Sequence, residues 1–260
     1  MIAAIHLTLG QVAATLALVA VAALVSLWQR ADLERDIAVA TVRSFVQLTA
    51  IGYVIKLIFD QNRIAFVIVL IAAMVLFGAV TAQRRARHVP HAFWPLLIAL
   101  TLAGTTTLAL VVALGVFKAQ ARYLVPVGGM VIGNAMTAAA VALNRLGDDI
   151  AAGGAQIEAT LALGATASQA ARPVLRRSLR SGMIPLIDST KTTGLIFFPG
   201  TMVGMLLAGA VPIDAVRLQL ILLYVLLGSV ALAALTAVLL AYRNFFTAAH
   251  QLREIPPAPA

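Results

Sequence analysis

The sequence predicts an all-α, polytopic membrane protein, and three observations point to that class. Its 260 residues are 62% hydrophobic and only 11% charged, far from the average of soluble domains. Apolar runs recur along the chain, each near the roughly 20 residues that a helix needs to cross a bilayer. The basic residues, which give a net charge of +9, stand mostly between these runs rather than on one solvated face. A soluble enzyme and a nucleic-acid-binding protein are therefore disfavoured.

Seven apolar runs are long enough to be predicted as transmembrane helices. They cover residues 5–28, 37–59, 64–82, 93–117, 123–146, 184–211 and 215–242. The first run has no preceding Lys or Arg and no small-residue cleavage site after it, so we interpret it as a retained helix. We predict one transmembrane domain over residues 1–254, followed by a short Pro-rich tail over 255–260.

The arginines predict the orientation of these helices. Alternate connections are rich in arginine: Arg30, Arg35, Arg84, Arg85, Arg87, Arg172, Arg176, Arg177, Arg180, Arg243 and Arg253. The opposite connections hold mainly Arg63, Lys118, Arg122 and Arg217. By the positive-inside rule the richer side is cytoplasmic. We therefore expect a multi-pass protein of the cell (inner) membrane with its N-terminus outside and its C-terminus inside.

One cytoplasmic connection, residues 147–182, is long enough to hold structure of its own. Ile157, Leu161 and Ala165 follow helical spacing along one weakly apolar face, which predicts a short surface helix. A second, basic helix is expected to begin at Pro173. From the residues alone, an amphipathic segment lying on the lipid headgroups and a contact surface for a partner both remain open.

The fifth predicted span has a polar face. Met130, Asn134, Thr137, Val141 and Asn144, which we call the polar stripe, fall within roughly 80° of one another on a helix. Gly129, Gly133 and Ala140 run beside them, and small residues at such spacing let helices approach closely in lipid. The polar stripe is a candidate lining of a translocation path. The alternative is that its Asn and Thr side chains only hydrogen-bond to neighbouring helices.

The sixth predicted span combines charged residues with a helix breaker. Asp188, Lys191 and Thr192 stand at i, i+3 and i+4, on one face of the helix. Charged groups in a span are costly and are candidates for function, although here they also fit a simple ion pair. Pro199 and Gly200 predict a kink or a break. Gly200 and Gly204 repeat the small-residue spacing, so close packing is the other interpretation of this segment.

Other chemistry-bearing residues give weaker signals. Gln47, one turn after Arg43 in the second span, is a further path candidate. The chain has no cysteine, and its four histidines fall at span ends or in loops, where we expect them to be solvated. No methionine is singled out as a metal ligand. The sequence lacks a phosphate-binding loop, a nucleophile elbow and a zinc-protease motif, so we predict no catalytic residues and no bound cofactor.

Two segments give the chain a specific family resemblance. The stretch YLVPVGGMVIGNAMT at 123–137 is similar to the signature of the FetB-type ABC transporter permeases, a family that is also similar to plant aluminium-tolerance half-transporters. MIPLIDSTKTTGL at 183–195, followed by PGTMVG at 199–204, is similar to its second signature. The stretch RSFVQL at 43–48 agrees as well, so the resemblance covers nearly the whole chain.

The resemblance implies a permease that works with a separate ATPase. The Glu-Ala-Ala...Gly loop of ABC permeases is similar to Glu158, Ala159 and Gly164, with Thr160 in place of the second Ala. It implies coupling to the ATPase through five residues: Glu158, Ala159, Leu161, Gly164 and Arg172. A homodimer in the membrane, a FetA-like cytoplasmic ATPase subunit that holds ATP and Mg, and export of a metal, namely iron, are the corresponding expectations.

Other functions remain open at this point. An ABC permease for a non-metal cargo such as a sugar nucleotide has the same expected architecture. An ion-coupled secondary transporter would use Asp188 and Lys191 as its coupling pair. A membrane-embedded enzyme is disfavoured because no nucleophile is predicted near a base.

Overall fold

The structure is a computed structural model. It describes residues 9–61, 63–86 and 88–253, and the regular secondary structure of these residues is helical. The predicted all-α class is confirmed. In chain order the helices of the described residues are α1 (Leu9–Gln29), α2 (Glu34–Gln61), α3 (Ile64–Arg85), α4 (Phe93–Ala113), α5 (Ala121–Ala152), α6 (Gly154–Ala162), α7 (Ala167–Thr192), α8 (Gly200–Leu207) and α9 (Pro212–Ala241). A 3-10 turn, Tyr242–Phe245, follows α9. The predicted tail over 255–260 lies outside the described residues.

Local sequence explains where two of the later helices begin. α9 starts at Pro212, a position where the missing N–H of proline would have had no helical partner. α7 starts with a capping box, in which the Thr166 hydroxyl accepts a hydrogen bond from the Gln169 backbone and the Gln169 side chain accepts one from Thr166 N at 2.8 Å. The second helix of the 147–182 connection therefore begins at Ala167. Our prediction that it begins at Pro173 is wrong, because the capping box precedes the proline and the helix continues through it.

The described residues divide into two compact units, 1–62 and 63–260. The first unit consists of α1 and α2, which contact each other and are joined by a short turn. Ser26 closes this turn: its hydroxyl donates to Glu34 Oε2 at 3.0 Å and accepts from Leu33 N at 2.9 Å. Nearly every other described side chain in this unit is exposed, as expected of helices whose apolar surface faces lipid.

The second unit is a helical bundle built around α5. α5 packs against α3, α4, α7 and α9, and half of its 32 residues are buried. Much of this core is alanine, including fully buried residues of α5 and α9: Ala135, Ala139, Ala142, Ala233, Ala234 and Ala237. Such small side chains bring helix axes close together, which is how membrane helices gain van der Waals contact without a hydrophobic driving force.

α5 and α7 approach each other closely at Gly182. A Cβ placed on Gly182 would lie 2.7 Å from the Ala138 carbonyl oxygen and 2.9 Å from Ala142 Cβ. Only glycine fits at this point without moving the backbone of one helix. Gly182 therefore sets the distance between α5 and α7.

One end of the second unit gathers most of its arginines, and we call it the basic end. Hydrogen bonds bring its segments together: His88 with Asp148, Arg177 with Asp149, and Asn244 Nδ2 with the Pro90 carbonyl oxygen. The arginines of this end are Arg84, Arg85, Arg145, Arg172, Arg176, Arg177, Arg180, Arg243 and Arg253. The orientation rule predicts that this end is cytoplasmic.

Six helices of the described residues are long and apolar enough to cross a membrane. They are Gly10–Gln29, Glu34–Lys56, Ile64–Arg85, Phe93–Ala113, Ala121–Ala152 and Pro212–Phe245. These correspond to six of the seven predicted spans. The chain is a multi-pass membrane protein, as predicted.

The sixth predicted span, 184–211, is not a single helix. α7 ends at Thr192, residues 193–199 are non-helical, and α8 covers only Gly200–Leu207. The helix is interrupted because a left-handed glycine, Gly194 with φ +84°, is followed by Pro199 within five residues. The predicted break is confirmed.

Residues 167–211 nevertheless run from one end of the second unit to the other, and we call them the interrupted pass. α7 begins at the basic end, where Ala167 N donates to His250 Nδ1 at 3.4 Å. α9 finishes at that same end and has 30 residues, a length of about 45 Å, so its first residue, Pro212, lies at the far end. The interrupted pass must therefore cover the length of the bundle.

Candidate functional site

The polar stripe of α5 lies on the face of that helix that the other described helices of the second unit leave open. Thr137, Val141 and Asn144 are exposed, and Met130 and Asn134 are half-buried. The opposite face is fully buried, for example at Leu143 and Leu146. The structure thus brings the predicted members of the polar stripe together on an uncovered surface of the chain.

The polar side chains of this face are satisfied by their own helix. Asn134 Nδ2 donates to the Met130 carbonyl oxygen at 2.8 Å, and Thr137 Oγ1 donates to the Gly133 carbonyl oxygen at 3.1 Å. Neither bond joins α5 to another helix of the described chain. The alternative in which these side chains hold helices together is therefore not realised within one copy.

The glycines beside the polar stripe are also uncovered. A Cβ on Gly133 would meet no atom within 4 Å, and one on Gly129 would meet only the Met74 side chain at 3.9 Å. Within the described chain these positions make no close helix contact, in contrast to Gly182. The small residues and the polar side chains form one surface that, within the described second unit, is touched only at its edge, by Met74 beside Gly129 and by Thr201 beside Met130.

The charged pair of α7 forms at the surface. Lys191 Nζ lies 3.4 Å from Asp188 Oδ1, and the two side chains are 70% and 61% exposed. Thr192 Oγ1 donates to the Asp188 carbonyl oxygen at 3.0 Å. The three residues predicted to share a face do so, and Asp188 has its counter-ion on its own helix.

The break that follows is held by a compact set of backbone bonds. Gly194 N donates to the Phe197 carbonyl oxygen at 2.9 Å, and Leu195 N and Ile196 N both donate to Thr192 O. Pro199 stands at the N-cap of α8 with Gly200 directly after it. Leu195 and Ile196 are 88% and 79% exposed, so the tip of the break presents apolar side chains outward.

α8 returns from the break to the polar stripe. Thr201 Oγ1 donates to Met130 Sδ at 3.9 Å, the weak contact typical of a thioether acceptor. Gly200 and Gly204 meet no atom within 4 Å of an added Cβ, so their predicted close packing is not formed within the described chain. The polar stripe, the charged pair of α7 and the break therefore belong to one region of the second unit.

Gln47, the remaining path candidate, lies in the first unit. Its side chain is exposed on α2, as is that of Arg43.

The short predicted surface helix is α6, and it presents most of the residues expected to couple to an ATPase. Ile157 is buried and Leu161 packs against the core, so the predicted inward face is confirmed. Glu158 and Ala159 are exposed, and Gly164 ends the segment with φ +90°, a conformation that L side chains rarely adopt. Arg172 lies outside α6, on the exposed face of α7.

Sequence reasoning missed the most exposed apolar residue of this region. Leu163, directly after α6, is 89% exposed. Its place between the helix and the turning Gly164 was the available signal. The exposed Leu163 adds an apolar side chain to the surface on which Glu158 and Ala159 lie.

A second feature that sequence reasoning missed is an ionic cluster at the base of α6. Asp149 has an 11% exposed side chain, and its two oxygens pair with Arg145 Nε at 3.0 Å and Arg177 Nε at 2.7 Å. Asp148 Oδ1 lies 2.8 Å from His88 Nδ1. His88, predicted to be solvated, is 32% exposed and also has this carboxylate partner, whereas His6 lies outside the described residues. The cluster connects the last turns of α5 to α7 and to the α3–α4 turn, immediately before α6.

The described residues contain no group of three or more His, Cys, Asp or Glu side chains arranged to hold a metal ion. The polar stripe offers instead amide, hydroxyl and thioether groups, which are weak ligands.

Comparisons with known proteins agree with this architecture. A family model described as "Uncharacterised protein family (UPF0014)" matches residues 9–246. The chain is 40% identical to the "UPF0014 membrane protein STAR2" of Oryza sativa subsp. japonica, over 95% of this chain and 86% of that protein. It is 39% identical to "Protein ALUMINUM SENSITIVE 3" of Arabidopsis thaliana, over 93% and 88%.

A bacterial relative is similar over nearly its whole length. The chain is 35% identical to the "Probable iron export permease protein FetB" of Escherichia coli (strain K12), over 95% of both proteins. No solved structure gives a significant match.

Proposed function

Because the chain belongs to the UPF0014 family of permease-like membrane proteins, we propose that it is the membrane subunit of an ABC transporter. It exports iron from the cytoplasm, and a separate subunit hydrolyses the ATP. The observation that carries this proposal is the polar stripe, which lies on an uncovered face of α5 beside the interrupted pass. The basic end faces the cytoplasm.

A second copy of the chain covers the polar stripe. Polar side chains that faced lipid tails would be costly, and irregular backbone at membrane depth is tolerated only against protein or water. The uncovered Gly129 and Gly133 allow another helix to approach closely. Two copies that meet along this face enclose a path lined by Met130, Asn134 and Thr137. The exposed break of the interrupted pass lies at the edge of the same face.

A conformational change that begins at α6 reaches this path. Glu158, Ala159 and Leu163 form its outward surface, which docks on the ATPase subunit that holds ATP and Mg. The Asp149 cluster lies at the base of α6 and joins α5 to α7. A displacement of α6 on ATP binding is therefore passed to the two helices beside the path.

The cargo assignment rests on a relative. The Escherichia coli protein bears the name of an iron export permease, and this chain matches it over 95% of its length. The polar stripe offers no permanent metal site, which fits transient passage of the ion.

Transport in inverted membrane vesicles tests the whole proposal. We expect ATP-dependent uptake of iron, and a nucleotide-binding ATPase that co-purifies with the tagged chain. Uptake driven by a proton gradient without ATP would favour an ion-coupled transporter. ATP-dependent uptake of a sugar nucleotide without iron would keep the permease and change its cargo.

Two substitutions test docking through α6. Glu158→Arg and Gly164→Trp should abolish the ATPase activity that the permease stimulates, while membrane insertion is unchanged. Asp214→Arg is the matched control, because it reverses a carboxylate at the far end of the second unit. Normal stimulation in both α6 variants would contradict the docking surface.

A further inference from the structure

Three arginines form a line along the outer face of α7. Arg172, Arg176 and Arg180 are spaced one helical turn apart and all three are exposed. Their line is about 12 Å long at the helical rise of 1.5 Å per residue. We call these three residues the arginine line.

The arginine line has no carboxylate of its own. Asp149 is used by Arg145 and Arg177, and Asp148 by His88. Among the described residues, none forms an ion pair or hydrogen bond with any member of the arginine line. Guanidinium groups are always charged at physiological pH, so this surface is available to an external anion.

α7 is amphipathic where it bears these residues. The face opposite the arginine line is buried at Ala171, Val174 and Ser178. The outer face changes character along the helix: Met183 and Ile187, seven and eleven residues after Arg176, continue the same line with apolar side chains. The helix thus passes from a charged surface to an apolar stretch after Arg180, and this stretch ends at the exposed pair Asp188 and Lys191. Such a change marks the level where a helix enters the hydrocarbon of a bilayer.

We propose that Arg172, Arg176 and Arg180 form a binding surface for the headgroups of anionic phospholipids. A guanidinium group donates two parallel hydrogen bonds to a phosphate, and basic residues beside a membrane span attract anionic lipid. The inference is independent of the proposed transport function.

Lipid fits this surface better than an acidic protein partner does. The apolar continuation at Met183 and Ile187 lies directly beyond Arg180, so an acyl chain can follow the headgroup along α7. Except for Arg172, the surface expected to meet the ATPase lies on α6, which is a separate helix and presents a carboxylate, Glu158.

The test compares lipid selectivity in nanodiscs that contain the full-length chain. The discs hold equal parts phosphatidylcholine and phosphatidylglycerol, and spin-labelled forms of each lipid report its association with the protein. For the native chain we expect a preference for phosphatidylglycerol. The variant with Arg172→Gln, Arg176→Gln and Arg180→Gln should lose about tenfold in that preference. Each basic residue near a membrane contributes at most about fivefold, so three residues together can account for a loss of this size.

Two further variants make the result specific. Lysine at the same three positions keeps the charge and should keep most of the preference. The triple variant Arg84→Gln, Arg85→Gln and Arg243→Gln removes the same charge from the same end of the molecule and should keep it as well. An equal loss in this control would overturn the proposal, because the preference would then belong to the whole basic end.

One remaining outcome would indicate that the arginine line binds a protein and not lipid. If the glutamine variant of the arginine line keeps its lipid preference but no longer co-purifies with an ATPase, the surface binds protein and the lipid proposal is wrong. Loss of lipid preference in the double variant Arg176→Gln and Arg180→Gln, which keeps Arg172, together with normal ATPase co-purification and normal iron uptake would support the proposal and leave the transport function untouched.

Discussion

α5 and the interrupted pass cover the same bundle, yet one is a continuous helix and the other is broken. α5 runs for 32 residues through Pro126, and α7 runs for 26 residues through Pro173 and Pro185. Proline alone therefore does not end these helices, because each removes a single backbone hydrogen bond. The break occurs where Gly194 takes a left-handed conformation a few residues before Pro199.

The two regions also differ in how they use small residues. Gly182 on α7 is in contact with α5 through Ala138 and Ala142, whereas Gly133 on α5 meets nothing of the chain. Gly182 lets α5 and α7 pack closely, whereas Gly133 belongs to a surface that a second copy can approach. The following four predictions test this contrast, from the largest expected effect on stability to the smallest.

Gly182→Leu should destabilise the bundle by about 1 to 3 kcal/mol, because the new side chain meets the backbone of α5. Gly133→Leu is the matched control and should leave the unfolding temperature of a single copy nearly unchanged. The measurement is thermal unfolding in detergent, combined with cross-linking of copies in membranes. We expect Gly133→Leu to reduce cross-linked dimer. Equal unfolding temperatures for the two variants would contradict the contrast.

Gly194→Val should cost about 1 to 3 kcal/mol, because a β-branched residue is strained at positive φ. A Cβ at this position would meet no atom within 4 Å, so backbone strain and not a clash is the cause. Gly194→Asn should cost less, since asparagine tolerates the left-handed region. Thermal unfolding measures the loss of stability, and iron uptake shows whether transport depends on this turn. A valine variant as stable as the asparagine variant would show that the turn does not need this conformation.

Asp149→Asn should lower stability by about 1 to 2 kcal/mol, because two arginines lose a charged acceptor. Asp188→Asn removes a pair that is mostly exposed and should change stability by less than about 0.5 kcal/mol. We also expect Asp149→Asn to weaken the stimulation of the ATPase. Full stimulation in that variant would remove the Asp149 cluster from the route between α6 and the path.

Asn134→Leu combined with Thr137→Val should change stability by less than about 0.5 kcal/mol, since both side chains bond only to their own helix. Iron uptake should nevertheless fall. Thr105→Val is the control, because Thr105 also bonds to its own helix and lies on α4. Loss of folded protein in the α5 variant would instead assign these residues to helix packing.

Composition and periodicity were sufficient to predict the helical class, six of the spans and the outward face of α5. Pro199 and Gly200 predicted a break in the apolar run 184–211, but its start after Thr192 was not predicted, because length and hydropathy do not report the conformation of Gly194. The capping box of Thr166 and Gln169 was readable in the sequence, but Pro173 was taken as the stronger start signal. Asp149 was missed because Arg177, its stronger partner, is 28 residues away.

The sequence by itself determined where the chain can enter a membrane, because the free energy of placing a side chain in lipid depends mainly on the chemistry of that side chain. It also determined that a polar stripe exists on α5. Only the tertiary structure decided that the stripe is uncovered, that Gly182 and not Gly133 holds α5 against α7, and that Arg172, Arg176 and Arg180 lack carboxylate partners. Those facts depend on which distant residues meet in space, and no local pattern records that.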